Sequence, residues 1–115
     1  MFFPSLRVQV AERRYRIPDI TVTKNKVKGR ILREPPFLCI EILSPEDRAA
    51  RMQVKIDDYL GFGVRHVWVI DPSNRTGWSY PRDGRRESTE LLTTSDPDLT
   101  LSLQEVFEQL KEDVE

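Results

Sequence analysis

Residues Phe37–Ser44 have the sequence Phe-Leu-Cys-Ile-Glu-Ile-Leu-Ser, and the rest of the predicted fold is arranged around them. Apolar residues fill both alternating sets of positions from Phe37 to Leu43, a pattern typical of a strand buried on both faces. Only Glu41 interrupts this run. A carboxylate inside a buried strand costs free energy unless a metal ion, a cation or hydrogen-bond donors compensate it. The stretch therefore predicts a central strand that carries a functional or ion-paired acid.

A helix over residues 45–61 is predicted directly after this strand. Ser44 is a good N-cap, Pro45 fits the first helical position, and Asp47 lies where a capping box carries an acid. Apolar residues then recur on one helical face, namely Ala49, Met52, Ile56, Tyr59 and Leu60. Lys55 lies at the edge of that face, so its side chain should lean toward the sheet.

The remaining pattern predicts an α/β (α+β) fold, a mixed sheet with helices against it in the order β-β-β-α-β-β-β-α. Further strands are predicted at residues 6–10, 15–23, 66–70, 78–80 and 87–93, the last after a hairpin turn at Asp83-Gly84. The helix after the central strand makes a βαβ unit with 66–70, so these two strands should be parallel. Pro18 places the second strand at an edge or a bulge. Ser102 should cap a closing helix whose buried stripe is Leu103, Val106, Phe107 and Leu110.

Length and composition narrow the class of protein. A chain of 115 residues predicts a single domain over residues 1–115. The formal net charge is −1, but residues 1–35 hold nine Lys and Arg against three Asp and Glu. This basic portion could meet a polyanion, and the alternative is an ordinary solvated surface.

Cys39 is the only cysteine, which excludes a disulfide framework and a thiolate zinc site. No stretch approaches the roughly 20 apolar residues of a membrane span, so a cytoplasmic protein is predicted.

Three residues combine into a candidate site. Asp19 follows Pro18 at a predicted strand, Glu41 lies in the central strand, and Lys55 lies on the next helix. Two carboxylates on neighbouring strands suit Mg²⁺, a hard cation that prefers oxygen ligands. A lysine beside them can orient an attacking water and offset charge that develops on a phosphate.

With this arrangement the chain resembles the PD-(D/E)XK nuclease superfamily and, within it, the Uma-two family of restriction endonuclease-like proteins. The matching stretches are Arg16–Val22, Leu38–Pro45, Lys55–Tyr59 and Gly63–Pro72. The resemblance implies a restriction-endonuclease-like mixed central sheet flanked by helices, with Mg²⁺ or Mn²⁺ as the cofactor.

The resemblance also assigns roles to residues. It implies that Asp19, Glu41 and Lys55 are catalytic, and that Asp19, Glu41 and the main-chain carbonyl of Ile42 hold the metal. The superfamily lysine two residues after the acid is replaced by Leu43 here, which selects Lys55 on the helix. Tyr59 and Asp71 are further candidates that would support this set.

Two departures separate the chain from the family pattern. Family members often carry an acid four residues before the helix lysine, and this chain has Arg51 there. They also usually begin with a further N-terminal helical segment, which this chain is expected to lack. These departures favour an alternative function, a catalytically inactive module with the nuclease fold that acts through protein–protein or nucleic-acid binding.

Each candidate residue also has a structural alternative. Asp19 could stabilise a strand bend after Pro18, and Glu41 could form a buried salt bridge with Lys55 without any metal. Tyr59 could be a core aromatic residue. Asp71 could serve only the proline-containing turn that it opens.

The leading hypothesis is a Mg²⁺-dependent endonuclease that hydrolyses phosphodiester bonds in DNA. Its predicted DNA-backbone contacts are the basic residues of one loop, Lys24, Lys26, Lys28 and Arg30. A homodimer is predicted as well, with Phe2 and Phe3 in or near its contact, because adjacent apolar rings at a terminus favour burial.

Overall fold

The computed structural model describes residues 2–27, 29–44, 46–47, 49–81, 87–88 and 90–114. The elements in chain order are β1 (Phe2–Pro4), β2 (Arg7–Ala11), β3 (Arg14–Arg16), β4 (Ile20–Val22), β5 (Ile31–Leu32), β6 (Leu38–Ile42), α1 (Ala49–Phe62), β7 (His66–Asp71), β8 (Thr76–Pro81), β9 (Glu87–Ser88), β10 (Leu91–Thr94), β11 (Leu99–Ser102) and α2 (Leu103–Val114).

A six-stranded mixed sheet with the strand order β1-β4-β6-β7-β8-β9 forms the centre of the molecule. Strands β6 and β7 are parallel, with Glu41 opposite Val69, and the other neighbours in this sheet are antiparallel. The predicted α/β (α+β) class, the central position of β6 and its parallel pairing with β7 are thereby confirmed.

Alternation along β6 divides the core into two layers. Leu38 and Ile40 belong to a cluster on the α2 face of the sheet, together with Leu103 and Phe107 of α2. Cys39 belongs to the cluster on the α1 face, which includes Met52, Ile56 and Tyr59 of α1. Because side chains alternate with period two along a strand, Glu41 shares the α1 face with Cys39.

Helix α1 ends in a Schellman motif, which fixes its last turn against the sheet. Val64 N–H donates to the Tyr59 carbonyl at 3.0 Å, and Gly63 N–H donates to the Leu60 carbonyl at 3.1 Å. Gly63 has a φ of 107°, a conformation that residues with a Cβ rarely adopt. The helix that was predicted to end at residue 61 therefore ends at Phe62, and Gly63 is its C-cap glycine.

The start of α1 differs from the prediction. The expected bond from Ser44 N–H to the Asp47 carboxylate is present at 2.7 Å. However, the Ser44 hydroxyl also contacts this carboxylate, and Asp47 N–H donates to the Ser44 carbonyl at 3.0 Å, which closes a turn. The serine hydroxyl is thus used by Asp47, and the helix begins at Ala49 rather than at Pro45.

Two predicted strands are each divided in the structure. The segment 15–23 contains the end of β3, which belongs to a three-stranded sheet of order β3-β2-β5, and the whole of β4, which belongs to the central sheet. Buried Pro18 lies between them and cannot donate to a sheet ladder. The segment 87–93 likewise contains β9 and part of β10, which pair with β8 and β11 respectively. The predicted turn at Asp83-Gly84 lies outside the described residues.

Three short strands, β1, β5 and β11, were not predicted, because each is only two to four residues long. Helix α2 begins as predicted, since Glu105 N–H donates to the Ser102 hydroxyl at 3.4 Å. Neither helix, over the described part of the chain, is long and apolar enough to cross a membrane.

Candidate functional site

Glu41 is a buried carboxylate that is held by a buried tyrosine. Its side chain is 3% exposed, and that of Tyr59 is fully buried. The Tyr59 hydroxyl donates to Glu41 Oε1 at 2.6 Å, a length typical of a hydrogen bond to an ionised acceptor. Tyr59 is therefore both a core aromatic residue and a direct contact of the predicted site acid.

Asp19 reaches the same end of β6 from the neighbouring strand. Its Oδ2 accepts a hydrogen bond of 2.6 Å from the main-chain N–H of Ile42, the residue after Glu41. Asp19 is exposed and directly precedes β4, which pairs antiparallel with β6. The carboxylate of Asp19 thus takes the place of a main-chain acceptor just beyond the β4–β6 ladder.

The electrostatics of Glu41 link it to the surrounding charges. Burial raises the pKa of Glu41, whereas the Tyr59 hydrogen bond and the charge of Lys55 lower it, and Asp19 and Asp47 raise it further. Among the described residues the ion pairs are those of Asp58 with arginines of β3, so no direct salt bridge joins Glu41 to Lys55. The structure thus brings Asp19 and Lys55 each within electrostatic range of Glu41.

A cavity of about 370 Å³ opens beside this group of residues. Its lining residues are Arg16, Asp47, Arg51, Met52, Val54 and Lys55. Arg16 comes from β3 and the other cations come from successive turns of α1. Sequence reasoning missed Arg16 as a site residue and treated Arg51 only as a departure from a pattern, because their meeting depends on how the sheet of β3, β2 and β5 packs against α1 through β2.

Asp19 and Glu41 each have one carboxylate oxygen left that could coordinate a divalent cation. Each carboxylate has one oxygen fixed by a protein donor, while Asp19 Oδ1 and Glu41 Oε2 have no hydrogen-bond partner among the described residues. Two hard oxygen donors suit Mg²⁺ or Mn²⁺, and a nearby cation would offset the burial that raises the pKa of Glu41. Within the described ranges, however, no three residues of the His, Cys, Asp and Glu types form a metal-binding group.

The predicted DNA-contacting loop lies at the opposite end of β4. Asp19 precedes that strand, whereas Lys24 follows it, and five extended residues at about 3.3 Å each span up to roughly 16 Å. The Lys24 ammonium lies 5.1 Å from the centroid of the Phe37 ring, and it lines a cavity of about 390 Å³ together with Lys26. Arg30 lines a different cavity, and Lys28 lies outside the described residues.

Asp71 is used by the turn after β7. Its Oδ1 accepts hydrogen bonds from Ser73 N–H at 3.0 Å and Asn74 N–H at 3.3 Å, and its Oδ2 accepts one from Asn74 Nδ2 at 2.9 Å. Both carboxylate oxygens are thus engaged locally. This arrangement matches the structural alternative for Asp71 rather than a role beside Glu41.

The fold is similar to that of a protein with a solved crystal structure. A crystal structure from Anabaena variabilis, described as "a putative nuclease belonging to DUF820", superimposes with a TM-score of 0.75 at 25% sequence identity. The match covers 95% of this chain and 68% of the other. The mixed sheet, with α1 on one face and α2 on the other, is therefore shared with that protein.

The sequence itself matches the Uma2 family, described as "Putative restriction endonuclease", over residues 1–115. The chain belongs to this family, which confirms the resemblance drawn from its sequence stretches. A comparison with curated proteins found no significant match.

Proposed function

We propose that this protein is a divalent-metal-dependent endonuclease that hydrolyses phosphodiester bonds in DNA. The observation that carries the proposal is the convergence at Glu41, a carboxylate 3% exposed that is bound by Tyr59 and coupled electrostatically to Asp19 and Lys55. Burying Glu41 near two further acids, Asp19 and Asp47, costs free energy, and a structural role alone gives little reason for that cost. Membership of a restriction-endonuclease family supports the same reaction.

Three groups of the chain would hold the metal. They are the free oxygens of Asp19 and Glu41 and the main-chain carbonyl of Ile42. In the antiparallel register Ile20 faces Ile40, so Ile42 falls opposite Pro18, which has no N–H to offer. Because the N–H and C=O of a strand residue point to the same side, we expect the Ile42 carbonyl to point toward Asp19, as its N–H does. When bound, Mg²⁺ or Mn²⁺ would lower the pKa of a coordinated water and neutralise charge on the phosphate.

The other residues position the reacting groups. Tyr59 fixes one oxygen of Glu41, and the Ile42 N–H fixes one oxygen of Asp19, so each acid presents its second oxygen in a defined direction. Lys55 is half-buried at the edge of α1, and its ammonium would orient the attacking water and stabilise charge on the phosphate in the transition state. The basic residues Lys24 and Lys26 would contact the DNA backbone further along the sheet.

A second candidate is a nuclease-fold module that binds DNA without cleaving it. The observation that favours it is that, among the described residues, no three potential ligands come together as a metal-binding group. Arg51 also stands on the adjoining helix face in place of the acid that family members often carry. Such a module would use the same cationic surface but would have no catalytic turnover.

Nicking of supercoiled plasmid DNA separates these functions, because one internal cut changes the migration of the circle. We expect cleavage with Mg²⁺ or Mn²⁺ and none with EDTA. Asp19→Asn, Glu41→Gln and Lys55→Met should each lower the rate by roughly 10²- to 10³-fold. Asp98→Asn, an exposed acid in the loop between β10 and β11, is the matched control and should retain the wild-type rate.

Binding without cleavage by the wild-type chain would favour the non-catalytic module. Cleavage that survives in Glu41→Gln would remove the proposed site from the reaction and overturn the assignment.

A further inference from the structure

Cationic side chains outnumber acidic ones in the lining of the cavity beside Glu41. Its charged lining residues are Arg16, Arg51 and Lys55, against the single acid Asp47. Arg51 and Lys55 are one helical turn apart, so they project from the same face of α1. Met52 also lines this cavity and belongs to the same core cluster as Tyr59, which binds Glu41, so the cavity lies on the side of α1 that carries the site.

Arg16 is held in place by α1. Its Nε donates to Asp58 Oδ2 at 2.8 Å, and its Nη2 lies 2.7 Å from the same oxygen. Arg14 also binds Asp58, at 3.0 Å, so two guanidinium groups share one carboxylate and one positive charge is left over. The Arg16 side chain is only 25% exposed, which means that its orientation is set before any ligand arrives.

Asp47 does not neutralise this set of cations. Its Oδ2 is engaged by the N–H and the hydroxyl of Ser44, which lower the pKa of Asp47, and the charges of Lys55 and Arg51 lower it further. Asp47 is therefore ionised, but one acid stands against three cations. The lining side chains have an excess of positive charge that fits an anion.

We infer that this cavity binds a phosphate of the nucleic acid strand next to the phosphate that is cleaved, with Arg51 and Arg16 as its ligands. The inference rests on the proposed nuclease function, since it assigns a substrate subsite to that site. A nucleic acid strand carries a phosphate on each side of the cut, and the two acids at the site repel both. Guanidinium groups match phosphate oxygens in pairs, so arginines flanking the acids offset that repulsion and fix the register of the strand.

The test is the salt dependence of DNA binding, which does not require cleavage. A fluorescein-labelled DNA duplex is titrated with the full chain in EDTA, and fluorescence anisotropy gives the affinity at several salt concentrations. Arg51→Gln removes one charge from an exposed position of α1, and glutamine is a good helix former, so the fold should persist. Circular dichroism checks that it does.

The matched control is Arg13→Gln. Arg13 is an exposed arginine in the turn between β2 and β3. It directly precedes β3, whereas Arg16, which lines the cavity, is the last residue of that strand. The change in net charge is the same in both variants, so any difference between them reports position rather than total charge.

Losing one phosphate contact should lower the slope of log affinity against log salt by about 0.9 in Arg51→Gln. Over a fourfold rise in salt, the affinity gap between the wild type and this variant should then close by about three- to fourfold. The charge reversal Arg51→Glu should weaken binding more than Arg51→Gln, whereas Arg13→Gln should keep the wild-type slope.

An unchanged slope in Arg51→Gln overturns the inference, as do equal losses in both glutamine variants or the absence of DNA binding by the wild type. These results are independent of the nicking assay. A chain that nicks plasmid but binds DNA with the same salt slope in Arg51→Gln keeps the proposed function and loses only the subsite.

Discussion

Replacing Tyr59 with phenylalanine isolates the hydroxyl that holds the site acid. The ring is fully buried and stays in place in Tyr59→Phe, so the variant removes only the 2.6 Å hydrogen bond to Glu41 Oε1. Hydrogen bonds to charged groups contribute roughly 1.5–3 kcal/mol, and their loss here leaves a buried carboxylate with one donor fewer. We expect the free energy of unfolding to fall by about that amount.

Urea and thermal unfolding in mildly alkaline, metal-free buffer measure this loss. For a domain of this size, about 4 °C in Tm accompanies each kcal/mol, so Tm should fall by roughly 6–12 °C. Tyr15→Phe is the matched control, because Tyr15 is 45% exposed. Its unfolding free energy should change by less than about 0.5 kcal/mol.

A double-mutant cycle with Glu41→Gln tests the reasoning further. Once the acceptor is neutral, the same tyrosine-to-phenylalanine change should cost only about 0.5–1.5 kcal/mol. Equal losses from Tyr59→Phe in both backgrounds would show that the hydroxyl does not stabilise a charged Glu41. A loss no larger than that of Tyr15→Phe would refute the hydrogen bond as a contribution to stability.

Three further predictions concern charge and assembly. Burial raises the pKa of Glu41, so just above pH 4.5 the folded, metal-free chain still holds a proton that the unfolded chain has lost. The free energy of unfolding should therefore fall as the pH rises from 4.5 through the pKa of the folded state. Urea denaturation in EDTA at several pH values measures this fall, which Glu41→Gln should lack. If Lys24 and Lys26 contact DNA phosphates, replacing both with alanine should lower the salt slope of binding by about two, whereas an unchanged slope would make the loop an ordinary solvated surface. Phe2 is 66% exposed on β1, an edge strand of the central sheet, so we expect the chain to form a homodimer through this edge. Sedimentation at micromolar concentration should show a dimer for the wild type and a monomer for Phe2→Ser. A wild-type monomer would exclude this contact.

The parts of the fold that were predictable are those in which one physical requirement dominates a long segment. The apolar run around Glu41 specified a strand buried on both faces, and the helix after it required a parallel partner. The glycine at the end of α1 adopts a positive φ that favours this residue type, so the end of the helix was also readable.

The parts that were not predictable depend on competition between local bonds or on contacts distant in sequence. Ser44 and Asp47 form the expected bond, yet further bonds between the same two residues close a turn in place of the first helical turn. Arg16 and Asp58 are 42 residues apart, and their pairing follows from the packing of β2, the partner strand of β3, on α1. The position of Glu41 was therefore inferred correctly, whereas the arginines beside it became visible only in three dimensions.

We propose that Asp19 and Glu41 together hold a divalent metal ion. Anomalous diffraction from crystals soaked in Mn²⁺ tests it most directly, because the metal is located without reference to activity. We expect one strong anomalous peak between Asp19 Oδ1 and Glu41 Oε2, within coordination distance of the Ile42 carbonyl, and no peak there in Glu41→Gln crystals. Manganese bound elsewhere on the chain, with no peak between these two carboxylates, would contradict it.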